Sequence, residues 1–441
     1  MFKKILIANR GEIAVRIIRA CKEMNIKTVS IYSEIDKQSL HVKLSDESIC
    51  IGKSKIKNSY LNISNIIAAA KITNTNAIHP GYGFLSENSN FSKICKKNKI
   101  KFIGPCHEIM KKMANKINAK KIMQKNGLNI VPGYNKPIKN IKEGIEISKY
   151  IGFPIILKAS EGGGGKGIRI IKEEKDFKKS WENIQRESIT FFNSNEIYLE
   201  KFIEFSKHIE FQIVGNPNGT IYHLSERECT IQKKHKKLIE ETPSSFITKK
   251  IRKKIGKSII KAIEPIKYQG LGTIEFIVDN KKNFYFIEIN TRIQVEHTIT
   301  EELTEIDLVQ TQIYISYGEN KIKKNYFPKS HIIQCRINVE NINNNKFKSN
   351  LDKIKNINLP GGKGIRIDTY IYNGYNIIHQ YDPMIIKIIA KSKSRKNTIY
   401  KMKNALKELQ IKGIKTNTVF FIKIMNNNKF ISGNFTTDNI F

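Results

Sequence analysis

Short apolar runs alternate with helix-like spacing through the first hundred residues. Lys4-Ile-Leu-Ile-Ala8 has the length of a buried strand, and Ile13, Ala14, Ile17, Ile18 and Cys21 then recur three and four apart, as on one helix face. Lys27-Thr-Val-Ser-Ile-Tyr32 returns to a strand. Strand, helix and strand in this order predict a doubly wound unit around a parallel sheet, with Asn9 placed to cap the helix. The alternation runs to Phe102-Ile-Gly-Pro105, where the first domain is expected to end. Inside it, His79-Pro-Gly-Tyr-Gly-Phe-Leu-Ser-Glu-Asn88 follows the strand Ala77-Ile78. Its glycines permit positive φ and a close approach of backbone to ligand, though an ordinary turn needs the same residues.

A second glycine-rich element runs from Phe153 to Ile171 and contains Lys158-Ala-Ser-Glu-Gly-Gly-Gly-Gly-Lys-Gly167. Gly162, Gly164 and Gly167 formally satisfy G-x-G-x-x-G, but Ile168-Arg-Ile-Ile171 reads as a strand where a dinucleotide fingerprint requires a helix. Nor does Ser or Thr follow the Gly165-Lys166 pair, as a Walker loop needs. The pattern predicts a hairpin with Lys158 at its root and backbone N–H groups at its tip, able to close over a polyphosphate.

Two further strand-like runs, Gly272-Thr-Ile-Glu-Phe-Ile-Val278 and Phe284-Tyr-Phe-Ile-Glu-Ile-Asn290, flank the turn Asp279-Asn-Lys-Lys-Asn283. With an even number of loop residues, Glu275 lies directly opposite Glu288 and shares its face with Asn290. Facing carboxylates repel unless a cation lies between them, and an all-oxygen set suits Mg2+ or Mn2+ rather than zinc. A solvated sheet face carrying two acids is the plainer alternative. The segment Phe286-Ile-Glu-Ile-Asn-Thr-Arg-Ile-Gln-Val-Glu-His297 adds an arginine, an amide, a further carboxylate and a histidine within a dozen residues.

Composition narrows the class. The chain of 441 residues is long enough for two or three cored domains, and its 40% hydrophobic residues fall in runs too short to span a membrane. The N-terminus begins on a strand, with no targeting segment expected, and six scattered cysteines without a C-x-x-C pair favour reduced thiols in the cytoplasm. A formal net charge of +37 suggests nucleic acid, but 66 of the 77 basic residues are Lys spread along the whole chain without interleaved aromatics. No specific nucleic-acid partner is expected. Against that lysine bias each arginine is informative, since it marks a place where a planar fork is needed. Arg292 and Arg336 are the leading candidates for oxyanion contacts, with a structural ion pair as the alternative.

Taken together the motifs resemble biotin carboxylase, an ATP-grasp enzyme, from residue 1 to about residue 420. Ile7-Ala-Asn-Arg-Gly-Glu-Ile-Ala14, the His79–Asn88 loop, Lys158-Ala-Ser with its glycines, and Glu288-Ile-Asn-Thr-Arg-Ile-Gln-Val-Glu-His297 carry the resemblance. Arg336-Ile-Asn338 and Ile411-Lys-Gly-Ile-Lys-Thr-Asn417 extend it. It implies an α/β and α+β multidomain protein. Residues 1–113 would form the N-terminal doubly wound domain with its parallel sheet. Residues 114–325 would form a central ATP-grasp module with a mobile glycine-rich lid at about 131–203, and residues 326–441 a C-terminal mixed α+β domain. The implied chemistry is ATP- and bicarbonate-dependent carboxylation of biotin through carboxyphosphate.

Residue by residue, the resemblance assigns Lys116, Lys158 and His208 to phosphate, Gly164 and Gly165 to the lid, Glu200, Lys201 and Ile203 to adenine, and His235 to the nucleotide. Glu275 and Glu288, with Asn290 beside them, match the metal ligands. Lys237, Arg292, Gln294 and Val295 match the bicarbonate pocket and Glu296 its general base, with the guanidinium of Arg292 expected to favour the ionised glutamate. Arg336 matches the group that steadies the biotin enolate oxygen, and Tyr82 lies near the biotin ring. The implied cofactors are ATP, Mg2+ or Mn2+, and biotin on a separate biotin carboxyl carrier protein. Carboxyltransferase subunits and a second copy of the chain are the other implied partners.

Three positions and one segment depart from the family pattern. Glu161 puts a negative charge in the lid, Asn115 replaces a usual Asp, Lys363 replaces an apolar or aromatic residue at the subunit contact, and the segment 341–350 lacks its shaping Pro and Gly. No catalytic group is lost. Lys401-Met-Lys-Asn404 lies in a helical pattern and lacks the second Met of a biotin attachment site, so the carrier is expected to be a separate protein. Acetyl-CoA carboxylase is the favoured parent complex, with pyruvate or propionyl-CoA carboxylase as alternatives. Another ATP-grasp ligase, a protein with the fold but no turnover, and a nonspecific nucleic-acid binder remain the competing readings.

Overall fold

The structure, a computed structural model, describes residues 1–162, 167–192, 194–233, 236–340 and 353–439. Strands β1 (Lys4–Ile7), β2 (Lys27–Tyr32), β3 (Glu47–Cys50), β4 (Ala77–His79) and β5 (Lys101–Phe102) form one parallel sheet in the order β3-β2-β1-β4-β5. Its first strand reads as a continuous apolar run because both faces are covered. Ile5 and Ile7 pack with Ile13, Ala14, Ile17 and Ile18 of the helix Gly11–Glu23, whereas Leu6 and Ala8 pack with Val29, Ile66 and Phe91 on the other side. The doubly wound unit is as expected, but Asn9 does not cap the helix. Arg10 takes that position, and Asn9 instead donates to the carbonyls of Pro80 and Tyr82, both at 2.7 Å. The amide thus ties the first strand's end to the glycine-rich loop. A Cβ on Gly81, whose φ is +62°, would lie 2.9 Å from that amide nitrogen, which is why glycine is needed there.

Strands β6 (Gly133–Tyr134), β7 (Ile155–Ala159), β8 (Ile168–Ile171) and β9 (Ile197–Lys201) form a separate antiparallel sheet in the order β6-β9-β7-β8. Helices Ile141–Ile151 and Phe177–Phe192 belong to the same unit, whose core of Ile155, Leu157, Ile171, Phe177, Trp181, Ile184, Ile197 and Leu199 is its own. The segment after the glycines is a strand, as its sequence indicates, with Ile168 paired to Lys158. Gly164, Gly165 and the departure at 341–350 lie outside the described residues.

The largest sheet draws on the rest of the chain. It comprises β10 (Lys207–Gly215), β11 (Ile221–Lys233), β12 (Lys236–Thr242), β13 (Gly270–Val278), β14 (Phe284–Asn290), β15 (His331–Asn338), β17 (Ile365–Thr369) and β18 (Met384–Ser392). Their order is β14-β13-β10-β11-β12-β15-β18-β17, while β16 (Asn356–Asn358) and β19 (Gln410–Lys412) pair apart. Because β12 pairs with β15, one sheet runs unbroken from the central third of the chain into the last. Alternation sorts its faces. Ile209, Phe211 and Ile213 of β10 enter the core, leaving His208, Glu210 and Gln212 on the other face. No helix among the described residues is long and apolar enough to cross a membrane.

The β13–β14 hairpin reaches the expected register by a different route. Its loop holds five residues, 279–283, an odd number, and a one-residue register shift between Glu275 and Phe276 restores the pairing of Glu275 with Glu288.

Candidate active site

The polar face of the large sheet carries a row of four directly paired residues, Arg227, Glu210, Glu275 and Glu288, across β11, β10, β13 and β14. Three carboxylates side by side are tolerable only because cations are interleaved with them. Arg227 is fully buried and engages all its donors. Its Nε donates to Glu210 at 2.5 Å, Nη1 to Gln212 and Thr300, and Nη2 to Thr273 and Gln294, the last four within 2.7–2.9 Å. Lys237 rises from β12 beside the row, its ammonium 2.5 Å from Glu210, 3.1 Å from Glu275 and 2.8 Å from Glu296.

Glu296 ends the loop that follows β14 and is held from two directions. Besides Lys237, it accepts from Arg336 Nη2 at 2.9 Å, while Arg336 Nε donates to Glu240 at 2.6 Å. Glu240 pairs directly with Gln334, and Arg336 lies two residues further along β15 on the same face. Burial by itself would raise the Glu296 carboxyl. The charges of Lys237, Arg336 and Arg227 outweigh it and hold the group well below the usual carboxylate range. For Glu275 burial is likewise outweighed, here by Lys237 and His208, whose Nε2 is 2.5 Å away. Burial wins at Glu210 and Glu240, whose carboxyls are raised. Lys237 is raised well above its ordinary value because Glu210, Glu275 and Glu296 overcome its burial. The guanidinium groups that keep Glu296 ionised are therefore those of Arg336 and Arg227, in place of that of Arg292.

Arg292 points elsewhere in the same pocket. Its Nε donates to Glu87 at 2.8 Å and its Nη2 to Asn290 at 3.1 Å, so it links this loop to the glycine-rich loop of the N-terminal sheet. Gln294 donates to Glu275 at 2.8 Å, and Val295 presents its carbonyl to Lys387 at 3.3 Å. Tyr82 donates its hydroxyl to Glu12 in the first turn of the N-terminal helix.

A second group of lysines lines the side facing the β6–β9 sheet. Lys116, first residue of the helix Lys116–Lys125, forms an ion pair with Glu288. Lys158 of β7 reaches Glu200 of β9 at 2.7 Å, and the buried Lys120 shares that carboxylate. Lys201 donates to the carbonyls of Gly152 and Phe153 at 3.0 and 2.9 Å, and Ile203 is half-buried just beyond the strand. The amide of Lys116 also donates to Ser160 at 2.9 Å, fastening the root of the glycine loop to the helix. His235 lies outside the described residues.

The candidate metal ligands fit a hard divalent cation. Glu275 and Glu288 are directly opposed, Asn290 donates to Glu275 at 2.7 Å, and Oε1 of Glu288 accepts no hydrogen bond among the described residues. All three offer oxygen, the ligand type of Mg2+ and Mn2+.

Sequence reading missed several parts of this arrangement. Glu210 was detectable, because it follows His208 by two residues in an alternating run. Arg227, Glu240, Glu12, Glu87, Lys120 and Lys387 come from separate segments, and only tertiary pairing reveals them.

Three family models match the chain. The N-terminal domain of biotin carboxylase matches residues 1–110, the ATP binding domain of the carbamoyl-phosphate synthase L chain residues 115–323, and the biotin carboxylase C-terminal domain residues 334–441. Biotin carboxylase 1 of Bacillus subtilis is 45% identical over 440 residues, 99% of this chain and 98% of that protein. Among solved structures, the biotin carboxylase–β,γ-ATP complex from Campylobacter jejuni superposes with a TM-score of 0.96 at 43% identity, covering 99% of this chain and 98% of that one. The biotin carboxylase domain dimer of Hydrogenobacter thermophilus 2-oxoglutarate carboxylase, in complex with MgADP, ADP and bicarbonate, gives 0.95 at 42% identity, covering 99% and 96%.

Proposed function

We propose, from the premise that this chain belongs to the biotin carboxylase family of ATP-grasp ligases, that it supplies the first half-reaction of acetyl-CoA carboxylase in the cytoplasm. It would carboxylate biotin on a separate carrier protein, and carboxyltransferase subunits would then form malonyl-CoA for fatty acid synthesis. The division at 1–113, 114–325 and 326–441, and the homodimer, belong to the same proposal. The observation that supports the carboxylation chemistry is the convergence of Lys237, Glu296 and Arg336, which sets an ionised carboxylate between an ammonium and a guanidinium.

Bicarbonate would enter among Lys237, Arg292, Gln294 and Val295 and compete for the Lys237 ammonium. As that ion pair loosens, Glu296 becomes a better base and takes the bicarbonate proton. A bicarbonate oxygen attacks the γ-phosphorus, and ADP leaves. Lys116, Lys158 and His208 hold the phosphates beneath Gly164 and Gly165 of the lid, Glu200, Lys201 and Ile203 hold adenine, and His235 contacts the nucleotide. A Mg2+ or Mn2+ ion on Glu275, Glu288 and Asn290 would neutralise charge on the phosphate oxygens. Carboxyphosphate then splits to CO2 and phosphate, the phosphate takes the ureido proton, and the ureido nitrogen attacks CO2. Arg336 faces the oxygen that turns enolate-like and stabilises it with a planar fork, while Tyr82 lies beside the ring.

The parent complex is decided by reconstitution. Chain, carrier protein, ATP, bicarbonate and an acetyl-CoA-specific carboxyltransferase should together yield malonyl-CoA. Product only with a pyruvate- or propionyl-CoA-specific partner would overturn the assignment to acetyl-CoA carboxylase and leave the biotin carboxylase chemistry standing.

A further inference from the structure

Lys387 is a fully buried lysine to which none of the assignments above gives a role. It sits in a cross-strand row of its own, directly paired with Arg336 on β15 and Asp368 on β17. Its ammonium lies 3.0 Å from Glu12, 3.5 Å from Asp368 and 3.3 Å from the carbonyl of Val295. These partners come from three distant segments, namely the N-terminal helix, the edge strand of the large sheet and the loop between Asn290 and Glu296. Glu12 in turn accepts the hydroxyl of Tyr82, whose loop is also pinned by Asn9.

We propose that Lys387 is a positioning residue that sets the carboxyl-acceptor half of the site. One arm runs through Glu12 to Tyr82 and fixes the wall against which biotin lies, and the other holds the Val295 carbonyl and with it the bicarbonate loop. This rests on the functional reading above. The physical argument is one of demand. A desolvated ammonium requires acceptors on several sides, and three pieces of chain that supply one each cannot move independently. Neither arm touches Lys116, Lys158 or Glu200, so the nucleotide half should not respond.

The test compares Lys387→Met, which keeps a long side chain without the charge, with Glu12→Gln, which keeps an acceptor for Tyr82 and cuts only the first arm. Steady-state phosphate release is measured with ATP, bicarbonate and free biotin each varied in turn. Lys387→Met should raise the KM for both bicarbonate and biotin about tenfold and leave that for ATP within about twofold, as expected for loss of a charged hydrogen-bond partner. Glu12→Gln should raise the biotin KM several-fold and leave the bicarbonate KM unchanged. If Lys387→Met does not fold, Glu12→Gln alone decides the first arm, and an unchanged biotin KM overturns the proposal. Equal changes in all three constants for Lys387→Met would also overturn it, since that is what general loosening produces. Absence of biotin-dependent turnover in the unaltered chain would instead overturn the functional reading, and this inference with it.

Discussion

Arg336 grips two carboxylates at once, Glu240 through Nε and Glu296 through Nη2, in a fixed planar geometry that a lysine ammonium lacks. Arg336→Lys should therefore lower biotin-dependent turnover about 100-fold or more, the scale on which an oxyanion-stabilising donor acts. ATP affinity, read by equilibrium titration, should barely change, and equal loss of both would count against the assigned role. Glu210 is a different case, since it is entirely buried between Arg227 and Lys237. Glu210→Gln should cost about 3 kcal/mol or more in denaturant unfolding, because the buried Arg227 loses the carboxylate it is paired with and Lys237 loses one of its three. The arginines show how far single residues were legible. In a lysine-rich chain they do mark places that need a planar fork, but mostly for architecture. Arg10, Arg252, Arg366 and Arg395 fork onto the buried Asp36, Glu226, Asp368 and Glu241, and Arg16 pairs with Glu301 and Asp307 through a single nitrogen. Residue type signalled the fork and could not tell oxyanion from scaffold, because the carboxylate partners lie far away in sequence.

At the scale of elements, the helix Lys116–Lys125 carries Lys116 and Lys120 into the site, so its start must be well defined. Asn115 caps it by accepting from the Asn118 amide at 3.0 Å and also donates to Glu196 at 3.2 Å. The amide thus does the capping work of the family's usual Asp without setting a second negative charge beside Glu196. Asn115→Ala should destabilise the protein by about 1 kcal/mol, seen as a lower thermal midpoint, and weaken ATP binding through Lys116. Strand and helix periodicity made the parallel sheet and the β7–β8 hairpin readable, because both follow from local alternation. The β13–β14 pairing was readable only in part. Its outcome followed from the facing of Glu275 and Glu288, whereas the odd loop and compensating bulge are backbone details that alternation does not encode. The join of β12 to β15 was invisible for a related reason, since pairing across some ninety residues leaves no local pattern. Lys401-Met-Lys-Asn404 is helical as read, and its Met402 is fully buried, which excludes an exposed biotin attachment loop there.

For the whole molecule, acid sensitivity follows from histidines buried as neutral rings. Burial lowers His41 and His223 to about 4, and His79 and His297 to about 3. In the unfolded chain each would titrate at about 6.5, so below that pH the unfolded state binds more protons and stability falls as pH falls. The thermal midpoint should be level above about pH 7 and decline steadily from about pH 6.5 to 4, whereas a midpoint flat down to pH 5 would contradict this. Glu275 and Glu296, both depressed, add their own loss only at lower pH, beneath the ordinary carboxylate value of about 4.3. On the proposed function, one sheet face that draws strands from the central and last thirds of the chain couples phosphate activation at Glu275 and Glu288 to carboxyl transfer at Glu296 and Arg336. Phosphate release tests it most directly, measured with ATP and Mg2+ while bicarbonate and free biotin are added or withheld. Hydrolysis should require bicarbonate and rise several-fold with biotin, and hydrolysis indifferent to biotin would contradict that coupling.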